Sequence, residues 1–153
     1  MAERAVIRPG DLDELGWKLH SEYNEYPLPE NASSCCEVDM FTNNVSDYVF
    51  VISFDSVDRS SAYFQGYLDR LDDYGNNCMA EPLDAGDEGV LILRTNGNGT
   101  CSLSFYQENL FVWMDLVNLN YRGGGLVTEE FVVELALELC HAQEMKFSSV
   151  LIS

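Results

Sequence analysis

Histidine is the side chain that most often acts as a general base, and this sequence holds only two, His20 and His141. His141 follows Cys140 in a predicted helix, where adjacent positions do not face each other. A Cys–His dyad would therefore need a thiol from elsewhere, such as Cys35 or Cys36. No serine stands in a Gly-x-Ser-x-Gly context. A buried thiol and a surface histidine explain these residues better than catalysis does, and we expect no enzyme.

Glycine-rich and acidic stretches are the remaining candidates for a cofactor or a metal site. Asn96–Gly99 has no helix after it, and Gly123–Gly125 lacks the lysine of a P-loop, so both are typical of turns or hinges. The acid clusters at 69–73 and 84–88 could bind calcium, but neither has the ligand order of an EF-hand. We therefore expect no cofactor and no metal, and interpret these acids as solvated.

The five cysteines are scattered without a Cys-x-x-Cys pair, which argues against zinc. Two disulfides and one odd thiol would fit an exported protein, whereas five reduced and buried thiols would fit a cytosolic one. Three Asn-x-Ser/Thr sequons, at positions 31, 44 and 98, favour export. The candidate disulfide residues are Cys78 and Cys101, which lie in predicted strands, and Cys36 and Cys140, which most of the chain separates.

The charge is abnormal: 26 Asp and Glu face 8 Lys and Arg, for a net charge of −18. A phosphate backbone or an anionic membrane surface needs clustered cations, so neither nucleic acid nor lipid headgroups are expected to bind directly. Between residues 37 and 93 the sequence holds twelve acids and two bases, Arg59 and Arg70. A solvated face, a surface for a basic partner and an origin in a high-salt environment all explain this excess.

Two features favour a partner surface. Three glutamates repeat at i, i+4 and i+8 of a predicted helix with no cation at i+4 to relieve their repulsion. Two aromatic residues share the strand face opposite the predicted core side, where either a helix covers them or they line an apolar groove. The three glutamates are Glu130, Glu134 and Glu138, and the two aromatic residues are Phe111 and Trp113. The other candidate partner-binding residues are Asp69, Asp72, Asp73, Tyr121 and Arg122.

Hydrophobic periodicity predicts an α+β fold, a twisted antiparallel sheet packed against two main helices at about 57–74 and 129–146. A strand at 47–54, an edge strand at 78–83 containing Pro82, and a three-stranded meander over 90–117 form the sheet. We further predict a short N-terminal helix after Pro9 that carries Leu12, Leu15 and Leu19, a long loop over 22–36, and a short strand in the tail, 147–153.

At 153 residues and 17.2 kDa, with 46% hydrophobic residues, the chain has the size and composition of a single domain, 1–153. Its apolar runs are far shorter than the roughly 20 residues that span a bilayer. The first ten residues have no apolar stretch typical of a signal peptide. We therefore expect either a cytoplasmic protein or a mature exported chain, and the oligomeric state stays open.

The order of these elements resembles a family. It is carried by RPGDLDELGW (8–17), FDSVDRSSAYFQGYLDRLDD (54–73), EPLDAGDEGVLIL (81–93) and GTCSLSFYQENLFVWMDL (99–116), followed by the last helix. Together these segments look like the secreted sensor-type domains of actinobacterial cell-envelope lipoproteins and transmembrane serine/threonine kinases. The closest matches are Cys78, Cys101, the Gly-Asp-Glu at 86–88 and Asn109; the departures are the missing lipobox, the Cys35–Cys36 pair and the low Ala with high Asn content.

The resemblance implies helices around a twisted antiparallel sheet with a cleft, and ligand binding rather than catalysis; it assigns no functional residue. The sequence therefore predicts a non-enzymatic, exported or cell-envelope, sensor-like domain with an acidic surface that binds a basic protein or a small ligand. The alternative is a cytosolic inhibitor or nucleic-acid mimic, of the kind phages encode, whose acids bind a basic protein.

Overall fold

Seven strands, two long helices and one short helix make up the part of the chain that the computed structural model describes: residues 1–12, 16–24, 27–42, 45–71, 78–94, 100–118 and 129–152. In chain order they are α1 (Ala2–Ala5), β1 (Lys18–Tyr23), β2 (Ala32–Thr42), β3 (Val45–Phe54), α2 (Val57–Leu71), β4 (Cys78–Leu83), β5 (Glu88–Arg94), β6 (Cys101–Gln107), β7 (Leu110–Asn118) and α3 (Glu129–Ile152). The predicted α+β class is confirmed.

The strands form one antiparallel sheet in the order β1-β2-β3-β7-β6-β5-β4. β5, β6 and β7 are the predicted meander, and β4 with Pro82 lies at the edge as predicted, where its missing N–H breaks no ladder. The Asn96–Gly99 turn lies outside the described residues, but Leu93 pairs with Cys101 as a β5–β6 hairpin requires. β3 occupies an interior position, as its Val- and Ile-rich sequence indicates.

Each face of the sheet is packed by different helices, because alternate residues of every strand point to opposite sides. On the α3 face, α1 and α3 cover a core that includes Val38, Val49, Leu103, Val112 and Leu139. On the α2 face, α2 covers a smaller core that includes Ile52, Phe64, Ile92 and Phe111. The two faces that the alternation of β6 and β7 predicts are confirmed.

The N-terminal third departs most from the prediction. The short N-terminal helix is present as α1, but its placement over Leu12 and Leu19 is wrong. A 3-10 turn occupies Pro9–Asp11, and Leu19 is an exposed residue of β1, while Leu15 lies outside the described residues. The loop predicted over 22–36 is also wrong, since β1 ends and β2 begins within it. In β2 the buried Cys36, Val38 and Met40 alternate with more polar positions, a period of two that the serine, cysteine and acid content obscured.

Helix α3 continues to Ile152, so the strand predicted at 147–153 is wrong. Leu139, Gln143, Phe147 and Val150 are all buried at helical spacing, and this stripe extends the apolar face past the predicted end at residue 146. The buried amide of Gln143 accepts from Ile7 N–H and donates to the Ala5 carbonyl, at 3.1 and 2.6 Å. The last turns of α3 therefore hold the N-terminal segment in place.

Helix α2 begins as predicted: the Ser56 hydroxyl accepts from the Arg59 N–H, which makes Ser56 the cap. The predicted end at residue 74 lies outside the described residues. Phe64 is fully buried and packs in the α2-face core. Within the described residues no helix has both the length and the apolar character that a membrane span requires.

The segments that carried the resemblance have structural roles. Gly86 has a φ of +55°, and a Cβ at this position would collide with the Tyr106 carbonyl. The carboxylate of Asp87 accepts from the Glu108 N–H at 2.6 Å, and the Asn109 amide donates to the Phe54 carbonyl at 2.8 Å. These bonds join the turns at one end of the sheet, so the Gly-Asp-Glu and Asn109 positions are explained by the fold.

Candidate functional site

The predicted acidic residues do not form one surface. Glu130, Glu134 and Glu138 are exposed along α3, whereas Asp69 is exposed on α2, and these helices pack on opposite faces of the sheet. Asp72, Asp73, Tyr121 and Arg122 lie outside the described residues. The glutamate stripe is therefore a separate surface from any site on the α2 face.

Of the two alternatives for Phe111 and Trp113, the structure shows a covering helix over Phe111. The Tyr63 and Tyr67 rings of α2 meet the Phe111 ring edge-on, with centroids 4.9 and 6.0 Å away, and Phe111 is buried. Phe111 as a partner-binding residue is thus corrected: it belongs to the core. Trp113, two positions further along β7, remains half-buried at the border of the covered area.

Neither predicted disulfide is present, since all five cysteines are free thiols. Cys78 and Cys101 lie on β4 and β6 with β5 between them, and they pack on opposite faces of the sheet. Two strand spacings are about 10 Å, beyond the reach of a disulfide. Cys36 and Cys140 both lie in the α3-face core, where burial raises their pKa values to about 11 and about 12, so both remain protonated at neutral pH.

Helix α2 leaves part of its sheet face open. At the far ends of β2, β3 and β7, the side chains on this face are half-buried or exposed, in contrast to the fully covered Ile52 and Phe111. We call this area the open half of the α2 face; it consists of Asp39, Phe41, Tyr48, Phe50, Trp113 and Asp115. It combines four aromatic rings with two carboxylates.

The pairing register places the two carboxylates in one row. Asp39 on β2 and Asp115 on β7 are both directly opposite Tyr48 on β3, one on each side. The row continues outward to a serine on either side, Ser21 opposite Asp39 and Ser102 opposite Asp115. The two aspartate Cα atoms are therefore about 10 Å apart, two strand spacings.

Each carboxylate is fixed by its serine. The Ser21 hydroxyl donates to Asp39 Oδ2 at 3.0 Å, and the Ser102 hydroxyl donates to Asp115 Oδ1 at 2.6 Å. The second oxygen of Asp39, Oδ1, is buried and has no donor among the described residues. A carboxylate oxygen shielded from water without a donor is unfavourable, so a donor from a ligand would stabilise it.

A cleft of about 240 Å³ lies beside Asp39, lined by His20, Asp39, Met40, Phe41, Ser46 and Tyr48. Phe41 and Tyr48 are 39% and 37% exposed, and the His20 and Phe41 rings lie edge to face with centroids 6.5 Å apart. Aromatic faces attract cations, and a carboxylate adds a charge and a hydrogen-bond acceptor. The cleft therefore has the chemistry of a cation-binding site.

Asp47 is a third aspartate of this region, on the opposite side of β3. It pairs with Met40 and Leu116 of the α3-face core, is fully buried, and has no donor among the described residues for either carboxyl oxygen. Its pKa is raised well above the usual range, first by burial and then by the charges of Asp115 and Asp39. Burial of the carboxyl thus favours its neutral form.

Sequence reasoning missed Asp39, Phe41 and Tyr48. These residues share one face of the sheet because β2 pairs with β3, which brings residues about ten positions apart into contact. The available signal was the alternation of Glu37, Asp39 and Phe41 with apolar residues. Among the described residues, no three His, Cys, Asp or Glu side chains converge as metal ligands would.

No family model and no curated protein matches this sequence. Among solved structures, the fold is similar to the crystal structure of the extracellular domain of PknH from Mycobacterium tuberculosis, with a TM-score of 0.65 and 8% sequence identity. The similarity covers 97% of each chain. At this identity the likeness is one of fold, and it supports the predicted resemblance to sensor-type domains at that level alone.

Proposed function

We propose that this chain is an exported, non-enzymatic, sensor-like domain that binds a cationic side chain of a basic partner protein in the cleft beside Asp39. The observation that carries the proposal is the buried Asp39 Oδ1, which has no donor among the described residues and belongs to a side chain that lines an aromatic-walled cleft. A guanidinium or ammonium group bound in the cleft would supply a donor to the Asp39 carboxylate.

The aromatic walls favour a cation over a neutral ligand. Phe41 and Tyr48 present exposed ring area in the cleft that Asp39 lines, so an arginine or lysine stem would pack on apolar surface while its charge meets the carboxylate. Asp115, on the other side of Tyr48, offers a second acceptor to a longer basic segment.

The net charge of the whole chain also favours a cationic partner. A net charge of −18 attracts basic partners over distances of about 10 Å at moderate salt and repels acidic ones. Binding that depends on this field should weaken as salt is added. The contacts with the aromatic rings would persist at high salt, and the binding that remains there would distinguish a specific site from non-specific electrostatic attraction.

Export is supported by the fold of an extracellular domain and by the three sequons. The five free thiols, four of them buried, fit the cytoplasmic alternative instead, so export is proposed from the fold and the sequons alone. Packing of the two cores on either side of the sheet stabilises the fold without disulfides.

Calorimetry with an arginine-rich peptide tests the proposal. Asp39→Asn should weaken binding by about tenfold, the effect of losing one charge-assisted hydrogen bond. The matched control is Asp69→Asn, which removes the same charge from the exposed surface of α2 and should stay within about twofold of the unchanged protein. If both variants lose peptide affinity equally, the binding depends on net charge alone, and this result would overturn the proposed site.

The glutamate stripe of α3 supports a second function, that of an inhibitor or nucleic-acid mimic. Glu130, Glu134 and Glu138 are all exposed, about 6 Å apart along the helix, and none of the ion pairs of the described residues involves them. The triple change to glutamine should abolish capture of a nucleic-acid-binding enzyme if this function is the true one. It should leave peptide binding at Asp39 intact if the first function holds.

A further inference from the structure

A second cleft, of about 500 Å³, lies between α2 and the segment that precedes β2. Its chemistry is unlike that of the rest of the molecule, because two of the eight lysines and arginines of the chain line it. Its lining includes Arg59, Arg70, Tyr63, Phe54 and Glu30. We propose that this cleft binds a small organic anion with a planar apolar body, such as an aromatic carboxylate.

Helix geometry explains why both arginines reach one cleft. Arg59 and Arg70 are eleven residues apart, which is about three helical turns, so they lie on the same side of α2. Tyr63 stands one turn after Arg59 on that side. Both arginines and Tyr63 therefore line the same cleft.

Arg70 is the second cation of the cleft. Its guanidinium lies 5.7 Å from the centroid of the Tyr63 ring, and none of the ion pairs of the described residues involves it. A guanidinium held against an aromatic ring keeps its N–H groups free at the ring edge, where they can meet a carboxylate in two parallel bonds.

Arg59 holds an exchangeable partner. It pairs with Asp55 at 2.6 Å, but both side chains are about half exposed, at 47% and 57%. Ion pairs of that exposure contribute little stability, so a ligand carboxylate can replace Asp55. Glu30 at the rim opposes anions, which limits the site to ligands whose charge lies near the arginines and whose body contacts Tyr63 and Phe54.

This site is independent of the cleft beside Asp39 and takes a ligand of opposite charge. Calorimetry with naphthalene-2-carboxylate tests it, with 2-naphthalenemethanol as the neutral ligand of the same shape. Arg70→Gln should weaken carboxylate binding by about tenfold or more. Arg4→Gln, on the exposed surface of α1, removes the same charge as a control and should leave binding within about twofold.

Every result of these binding measurements either supports or overturns the proposed anion site. Tighter binding of the carboxylate than of the alcohol, lost with Arg70→Gln and kept with Arg4→Gln, supports the proposal. Equal binding of both naphthalenes, no carboxylate binding, or equal losses in the two arginine variants overturns it. The urea-denaturation midpoint serves as the readout of an intact fold, and it should be unchanged in Arg70→Gln.

Discussion

Asp39 and Asp115 lie on the two sides of Tyr48 in a single row of the sheet, and each carboxylate accepts a hydrogen bond from a serine one strand further out. Strands, unlike loops, hold such side chains at fixed spacing. The row therefore offers a partner two acceptors about 10 Å apart, with an aromatic ring between them. Binding to a preorganised surface of this kind requires little reordering of the protein.

The serine that holds Asp115 should matter for stability. Ser102 is buried, so Ser102→Ala leaves Asp115 Oδ1 without its donor, and we expect the free energy of unfolding to fall by about 1–3 kcal/mol. Urea denaturation measures the change. Ser33→Ala, at an exposed position of β2, is the control and should stay within about 0.5 kcal/mol. A Ser102 variant as stable as the control would show that the bond has no net value.

Burial of Asp47 should make stability depend on pH. Its pKa in the folded state is raised above the unfolded value of about 3.9, because burial disfavours the charged form. The stability that this group contributes is therefore fully present below about pH 4 and is lost as the pH rises through the folded-state pKa.

Asp47→Asn removes this ionisation at nearly constant size. At pH 4 the variant should be within about 1 kcal/mol of the unchanged protein, and at pH 8 it should be more stable by about 1–3 kcal/mol. Thermal or urea unfolding across the pH range gives the comparison, with the exposed Asp69→Asn expected to show no such divergence. An Asp47→Asn protein that is less stable at pH 8 would show that the ionised carboxylate has a partner.

Two glycines should respond to alanine in opposite directions. At Gly86 the positive φ and the contact of a Cβ with the Tyr106 carbonyl make alanine unfavourable, by about 2 kcal/mol or more. At Gly66, inside α2, a Cβ meets nothing within 4 Å, so alanine should stabilise the helix by about 0.5–1 kcal/mol. Melting temperatures of the two variants test both signs; a tolerated Gly86→Ala would contradict the turn geometry.

The five thiols should all react after unfolding without a reducing agent. Maleimide labelling in denaturant, followed by intact-mass measurement, should give five additions. In the folded protein, the high pKa values of Cys36 and Cys140 and their burial should make both unreactive at neutral pH. Fewer than five additions in denaturant would reveal a disulfide that the structure does not contain.

The meander and the main helices could be predicted because their signals are local. The alternation in 101–105 and 110–116 and the helical spacing in 129–146 each identify a face without knowledge of any partner strand. The sequence does not predict that α3 continues to Ile152, because its last apolar stripe, Phe147 and Val150, is too short to distinguish a helix from a strand.

The site could not be predicted in the same way. Asp39, Tyr48 and Asp115 come from three strands, and 76 positions separate the first from the last (115 − 39). Charge counting identified the acidic region but not which acids face an aromatic cleft. The sequence pattern makes Phe111 a candidate for partner binding because it lies on the strand face opposite the predicted core side. Only the packing of α2 shows that it belongs to the core.

Chemical-shift mapping by NMR with N-acetyl-arginine amide tests the central proposal most directly, with the uncharged isostere N-acetyl-citrulline amide as control. We expect the arginine compound to shift the amide signals of Asp39, Phe41 and Tyr48 most strongly, and the citrulline compound to shift them little. Shifts of equal size with both compounds, or shifts confined to Glu130, Glu134 and Glu138 of α3, would contradict a cation site beside Asp39.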